Sequence, residues 1–234
     1  MKKSTLALIG CLVALSGLAQ AQTIAHIEIA YTTTTGVRNS VGGSSNARSL
    51  LLLKYDLLRD AEARSVGNIR WRVSGQFDAT YDEQDQTAIT QLNRLLDGSE
   101  FNGFRRHRDQ QNGDLGQVYC DWTNLGVLGI AFQPGWASIC RRAVLTANTG
   151  NSGATNASTH ECGHSMNADH ANGHCMSRLN ARTIMEDNSD CPTNERIFYF
   201  SSPNTVVDGR VIGNSSNQNR ERIRARAPTT AAQQ

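Results

Sequence analysis

The 234-residue chain lacks an excess of charge of either sign: 23 Lys and Arg stand against 21 Asp and Glu, a formal net charge of +2. That balance excludes the broad basic field by which proteins neutralise nucleic-acid phosphates, and it gives no reason to expect acidic partners. Two local basic clusters, Arg105-Arg106-His107-Arg108 and the alternating Arg220, Arg222, Arg224 and Arg226, read as solvated surface; alternation by two spreads the second around a helix axis instead of forming one stripe. Also lacking, beyond the first residues, is any apolar run near the roughly 20 residues that cross a bilayer, so no membrane anchor is expected. Internal repeats and low-complexity tracts are absent too.

What is present begins with a leader. Lys2 and Lys3 precede an apolar run from Leu6 to Leu18, and Ala19-Gln20-Ala21 has the small-x-small form accepted by signal peptidase. Residues 1–21 are therefore expected to be a signal peptide cleaved near Ala21, giving a secreted or periplasmic protein. Leu8-Ile9-Gly10-Cys11 resembles a lipoprotein box, but the apolar run continues past Cys11 and argues against it. The remaining 22–234 suffice for a single domain with a proper core, expected as a monomer. Five cysteines remain: Cys120, Cys140, Cys162, Cys175 and Cys191. In an exported chain that number suggests two disulfides and one thiol. The sequence does not fix the pairing; Cys120 with Cys140 and Cys175 with Cys191, leaving Cys162 free, is the preferred arrangement.

Alternation over 23–33 and 69–73 predicts strands, and leucine-rich helical periodicity predicts helices from Asn46 to near Gly67 and over 87–96. Further strands are expected at 117–122, 129–132 and 139–145, with loops at 36–45 and 150–156. A helix is expected over about 157–166, and a last one over 217–227, stopped by Pro228. Strands alternating with helices ahead of a polar tail give an α/β (α+β) domain: a twisted mixed sheet, long helices and a small irregular C-terminal lobe. The upper lobe is expected over about 22–168 and the lower over about 169–234.

The segment His160-Glu161-Cys162-Gly163-His164-Ser165-Met166-Asn167-Ala168-Asp169-His170 carries the chemistry. Residues four apart share a helix face, so His160 and His164 converge, and two imidazoles at that spacing suit zinc. Glu161, rotated roughly 100° around the axis, stands beside such an ion, where a general base can take a proton from bound water and pass it to a leaving amine. His170 can join only if the helix stops and the chain turns near Asn167, a residue that enters positive φ readily.

The pattern resembles the metzincin zinc metalloproteases, whose signature is H-E-x-x-H-x-x-G-x-x-H followed by a methionine turn. His160, Glu161, His164 and His170 match it, with Asn167 in place of the usual glycine. Thr183-Ile184-Met185-Glu186 looks like the turn, with Met185 beneath the metal. No tyrosine lies two residues past Met185, unlike astacins and serralysins. Gly129-Ile130-Ala131-Phe132 with Cys140 after it, and Phe200-Ser201-Ser202-Pro203-Asn204, are similar to segments of the reprolysin (adamalysin) branch, here in a short bacterial secreted form. That branch often has Asp where this chain has Ala171. The resemblance implies a zinc-dependent endopeptidase with one catalytic Zn2+ on His160, His164 and His170. It implies that a peptide or protein substrate lies extended against the edge strand Gly129, Ile130, Ala131 and Phe132. No cysteine-switch segment is recognisable.

Other readings stay in view. Cys162 faces away from His160 and reads as a buried thiol, and His174 as a loop residue. Glu186 to Asp190 could hold Ca2+, though a polar turn is favoured. Asn156-Ala157-Ser158 and Asn214-Ser215-Ser216 match glycosylation sequons and carry no weight here. The competing functions are a zinc-binding adhesion or interaction module without turnover, against which Glu161 argues, and a gluzincin-type protease with Glu186 as third ligand.

Overall fold

The structure, a computed structural model, describes residues 24–81, 83, 86–122, 126–147, 153–187, 190–193 and 195–233. The expected leader lies outside the described residues. A five-stranded sheet is built from β1 (Ala25–Thr33), β2 (Ile69–Asp78), β3 (Leu115–Cys120), β4 (Gly129–Ala131) and β5 (Ala137–Arg141) in the order β2-β1-β3-β5-β4. All pairings are parallel except β4 with β5. The two-residue period sends Ile27, Ile29 and Tyr31 of β1 to one face, where they pack in one core with residues of α2 (Ser44–Ser65) and α6 (Gly153–Ser165). Ala30 and Val118 point to the other face, into a second core with Leu92 and Leu95 of α3 (Ala88–Asp97) and Phe104 of α4 (Asn102–Gln110). Helices therefore cover both faces, as a largely parallel sheet requires. The mixed α/β expectation holds.

Several local expectations do not. The 36–45 stretch is not wholly loop: Thr34 accepts a hydrogen bond from the Val37 amide and caps a short helix, α1 (Thr35–Ser40). The strand expected over 139–145 ends at Arg141 and turns into α5 (Arg142–Thr146). Helix α6 starts at Gly153, before the boundary expected near Ala157. Pro228 does not stop the last helix: α7 runs Asn219–Thr230 with Pro228 inside its final turn, where it lacks the amide that would donate to the Arg224 carbonyl but only the last residues of the helix follow it. The polar tail also contains two small antiparallel pairs, β6 (Cys175–Met176) with β7 (Ala181–Arg182), and β8 (Ser202–Val207) with β9 (Arg210–Ile212). Asp208 and Gly209 join the second pair, both at positive φ, as a two-residue hairpin turn demands.

The basic clusters are more than solvated surface. Arg105 donates to the Leu95 and Gly98 carbonyls, both at 2.9 Å, closing the end of α3. The Arg108 guanidinium lies 3.9 Å from the centre of the Trp136 ring. The cysteine pairing is half right: Cys175–Cys191 is a disulfide, whereas Cys120, Cys140 and Cys162 are buried thiols. The sheet explains the correction. Tyr119 lies opposite Cys140 in the β3–β5 register, so Cys120, one residue on, points to the opposite face. Cys140 packs in the first core and Cys120 in the second, and no disulfide can pass through the sheet.

Candidate metal centre

Helix α6 is unusual in burying polar residues nearly all round, among them Asn156, Ser158, Thr159 and Glu161. Strand β3 compensates part of that cost. Gln117 Nε2 donates to the Ser158 carbonyl at 3.1 Å, and Tyr119 Oη and Ser158 Oγ are 2.7 Å apart. A helix locked from behind in this way presents His160, Glu161 and His164 into the cleft.

The helix ends where the third histidine needs it to. Asn167 sits at φ +69°. Its amide donates to the His164 carbonyl at 2.8 Å, and the Ala168 amide donates back to the Gly163 carbonyl at 2.9 Å, the two bonds of a Schellman cap. The chain then reverses, and a 3-10 turn over His170–Asn172 returns His170 to the helix. Its Nε2 lies 2.9 Å from that of His160 and 3.0 Å from that of His164. Among the described residues these three side chains are the one cluster of His, Cys, Asp and Glu able to share a metal.

Backbone carbonyls orient two of the rings. His160 Nδ1 lies 2.8 Å from the Ile184 oxygen and His164 Nδ1 3.0 Å from the Ala168 oxygen. A carbonyl only accepts, so each Nδ1 carries the hydrogen and each Nε2 offers its lone pair to the centre. Arg196 also donates to the Ile184 oxygen at 2.7 Å, and Gln133 Nε2 to the Ala168 oxygen at 2.8 Å. Burial, followed by the neighbouring imidazole His164, holds the His160 pKa well below its ordinary value; burial, then His170, lowers that of His164. Both favour the neutral, ligating form. Two nitrogens 2.0–2.1 Å from one tetrahedral ion stand roughly 3.3 Å apart, so the observed separations need to open by only a few tenths of an ångström.

Glu161 is 5% exposed, and its Oε2 is buried without a hydrogen-bond partner among the described residues. Burial, then the Asp187 carboxylate, pushes its pKa up to about 8. An unpartnered carboxylate oxygen beside three converging imidazoles is what a cation and a water would satisfy, so the donor set fits zinc.

The cleft over this centre has a volume of about 400 Å³. Gly129, Ile130 and Ala131 of the antiparallel edge strand β4 line one side, and Asp187 and Arg196 the other. A Cβ on Gly129 would fall 2.5 Å from Glu161 Cγ, so the glycine lets the strand pass directly over the carboxylate. Phe132 follows the strand and packs against the second core. Met185 is fully buried, and a Cβ on Gly163 would fall 2.7 Å from its sulfur, so the methionine lies against α6 at Gly163.

Residues 62–171 match the profile of metallo-peptidase family M12B, reprolysin-like. That stretch, just under half of the chain, is similar to the reprolysin-like metallopeptidases. The matched stretch runs from the end of α2 to just past the third histidine. No curated protein matches this chain in sequence. Among solved structures it is similar to a chain in a structure of a chaperone–substrate complex, with a TM-score of 0.70 and 15% identity over 90% of this chain and 35% of that one. This chain thus spans about a third of that one, and the likeness is one of fold. Archaemetzincin from Methanopyrus kandleri aligns over 87% of this chain and 96% of its own, at 14% identity and a TM-score of 0.44.

Glu186 is buried and lies outside the histidine cluster. Asp187, one of the oxygens considered for Ca2+, faces Arg196 at 3.0 Å. Cys162 lies behind the helix near Gln117 Nε2, its thiol pKa pushed up by burial. His174 exchanges backbone contacts with Thr183. Sequence reasoning missed Arg196 and the Ile184 and Ala168 carbonyls: backbone acceptors carry no side-chain signature, and Arg196 belongs to no motif.

Proposed function

We propose that this chain is an exported metzincin-type zinc-dependent endopeptidase in which residues 1–21 are a cleaved leader and 22–234 one catalytic domain of two lobes. His160, His164 and His170 hold the ion. Zinc held there would supply Lewis acidity, lowering the pKa of a nearby water toward about 7. The chain's own groups do the rest. Glu161 accepts the proton of the attacking water at its unpartnered Oε2 and returns it to the leaving amine. The edge of β4, with Gly129, Ile130 and Ala131, pairs an extended substrate through main-chain hydrogen bonds. Met185 supports the histidines from below. The observation that carries the reading is the meeting of three lone pairs and one orphaned carboxylate oxygen beneath an unpaired strand edge. No described helix is long and apolar enough to cross a membrane, and the Cys175–Cys191 disulfide suits an oxidising compartment.

The test is Glu161→Ala in the purified chain. It should keep zinc near one equivalent and lose cleavage of an unfolded protein by at least about 10²-fold, given usual general-base contributions. Zinc-loaded wild type that cuts no unfolded substrate would instead favour a binding module.

A further inference from the structure

The third ligand is held differently from the first two. Carbonyls aim the His160 and His164 rings, but the His170 ring is exposed, and its hydrogen-bonding partners among the described residues are the other two imidazoles. What fixes it is its backbone, and that backbone is gripped from the far end of the chain. We propose that helix α7 is a positioning element for the metal, with Asn219 and Arg222 setting the place of His170; this rests on the reading of His170 as a ligand. Asn219, fully buried, accepts from the Asp169 amide at 2.8 Å and donates to the Asp169 carbonyl at 2.9 Å, fastening the residue just before His170 on both sides. Arg222 donates from Nε to the Asn167 carbonyl at 2.7 Å, reaches Asn167 Oδ1 at 3.3 Å, and pairs with Asp169 Oδ2 at 2.9 Å. Beyond His170, Ser201 Oγ donates to the Asn172 carbonyl and itself accepts from the Asn219 amide. The Schellman cap ties only Asn167 and Ala168 back to α6. From Asp169 to Asn172, the turn is closed locally by the Asn172 amide donating to Asp169 Oδ1 at 2.8 Å, and its place is held by residues about 30 to 50 positions later.

Asn219 and Arg222 touch no substrate and no metal. Altering them should act on metal affinity, as partners that orient ligands typically do, by about 10–100-fold. The experiment measures zinc dissociation constants by competition with a chelating dye, and the visible spectrum of the cobalt-substituted protein, for wild type, Asn219→Asp, Arg222→Gln, Arg222→Lys and Ile223→Ala. Asn219→Asp keeps the acceptor but loses the donor to the Asp169 carbonyl. Arg222, about a third exposed, is the gentler site should the first variant fail to fold. Both should bind zinc at least tenfold more weakly and show altered cobalt bands, with metal-free circular dichroism like wild type. Arg222→Lys, which keeps the charge facing Asp169, should fall between. Ile223→Ala removes a buried side chain from the same helix without touching the turn, so it should lower the melting temperature and leave zinc affinity unchanged. Folded Asn219→Asp and Arg222→Gln proteins that bind zinc within twofold of wild type would overturn the proposal while leaving the protease reading intact. A His170→Ala protein with wild-type zinc affinity would remove the ligand assignment on which both stand.

Discussion

Gly129→Ala isolates the closest approach in the cleft. An ideal Cβ there would lie 2.5 Å from Glu161 Cγ, 2.7 Å from Oε1 and 2.8 Å from Cδ. Carbon atoms in contact sit about 3.5–4.0 Å apart, so the shortfall is about 1 Å or more. The nearest atom is the middle of the side chain, not its free end, and Glu161 is 5% exposed, so it must turn about its own torsions and carry the carboxylate with it. Overpacking of this kind costs about 1–3 kcal/mol of stability. A general base displaced by about 1 Å can lose about 10²-fold in rate. None of the three histidines is touched, so zinc should stay near one equivalent. The assay is steady-state cleavage of a fluorescently labelled unfolded protein, with metal analysis of the same samples and Ile130→Ala as comparison. Gly129→Ala should lower kcat by about 10- to 100-fold with little change in KM, whereas Ile130→Ala, which alters only the strand's side chain, should act mainly on KM. A Gly129→Ala enzyme with wild-type kcat would show that the approach of β4 to Glu161 has no part in turnover.

Three further outcomes are expected. Asn167→Gly should stay within about 1 kcal/mol of wild type, because relief at positive φ offsets the lost Arg222 contact, while Asn167→Val should cost about 2 kcal/mol or more; equal urea midpoints would refute the turn geometry. Burial pushes the Lys54 pKa down to about 8, where its Nζ donates to the Ala147 carbonyl. Between pH 8 and 10.5 the unfolded chain holds a proton the folded chain has released, so stability gains from Lys54 as pH rises through that window; the wild-type minus Lys54→Met difference in unfolding free energy should rise there, and a flat difference would refute the burial argument. Replacing Cys175 and Cys191 together by Ser should cost about 3 kcal/mol, since they close a loop of sequence separation 16; an unchanged melting temperature would mean that the bridge constrains nothing.

The long periodic elements were legible because burial acts on them directly: Leu51, Leu58 and Ala61 of α2 and the alternation of β1 report the faces that the cores cover, although Leu52 and Leu53 of the same leucine run are exposed. The metal site was legible for a related reason, since His160, His164 and His170 must be those residue types whatever surrounds them. Asn167 was readable too, because few side chains tolerate its φ. What escaped depends on partners distant in sequence. Helix α1 rests on the Thr34 cap inside a stretch of small polar residues, and Asp208-Gly209 was a readable hairpin signal that went unread. Arg105 and Arg108 read as a charged patch because nothing local reveals the Leu95 carbonyl or the Trp136 ring. The separation of Cys120 from Cys140 is a property of strand register, which two sequence positions do not encode.

That separation bears on how the chain reaches its native state. In an oxidising compartment an unfolded chain offers every thiol to exchange, and wrong pairs compete with the right one. Once β3 and β5 align, Cys120 and Cys140 are withdrawn to opposite sides of a closed wall, and burial pushes both thiol pKa values well up, suppressing the thiolate that exchange needs. Cys162 is withdrawn in the same way behind α6. With the sheet formed, Cys175 and Cys191 are the pair among the described cysteines left to meet an oxidant, a selection that cysteine spacing does not make.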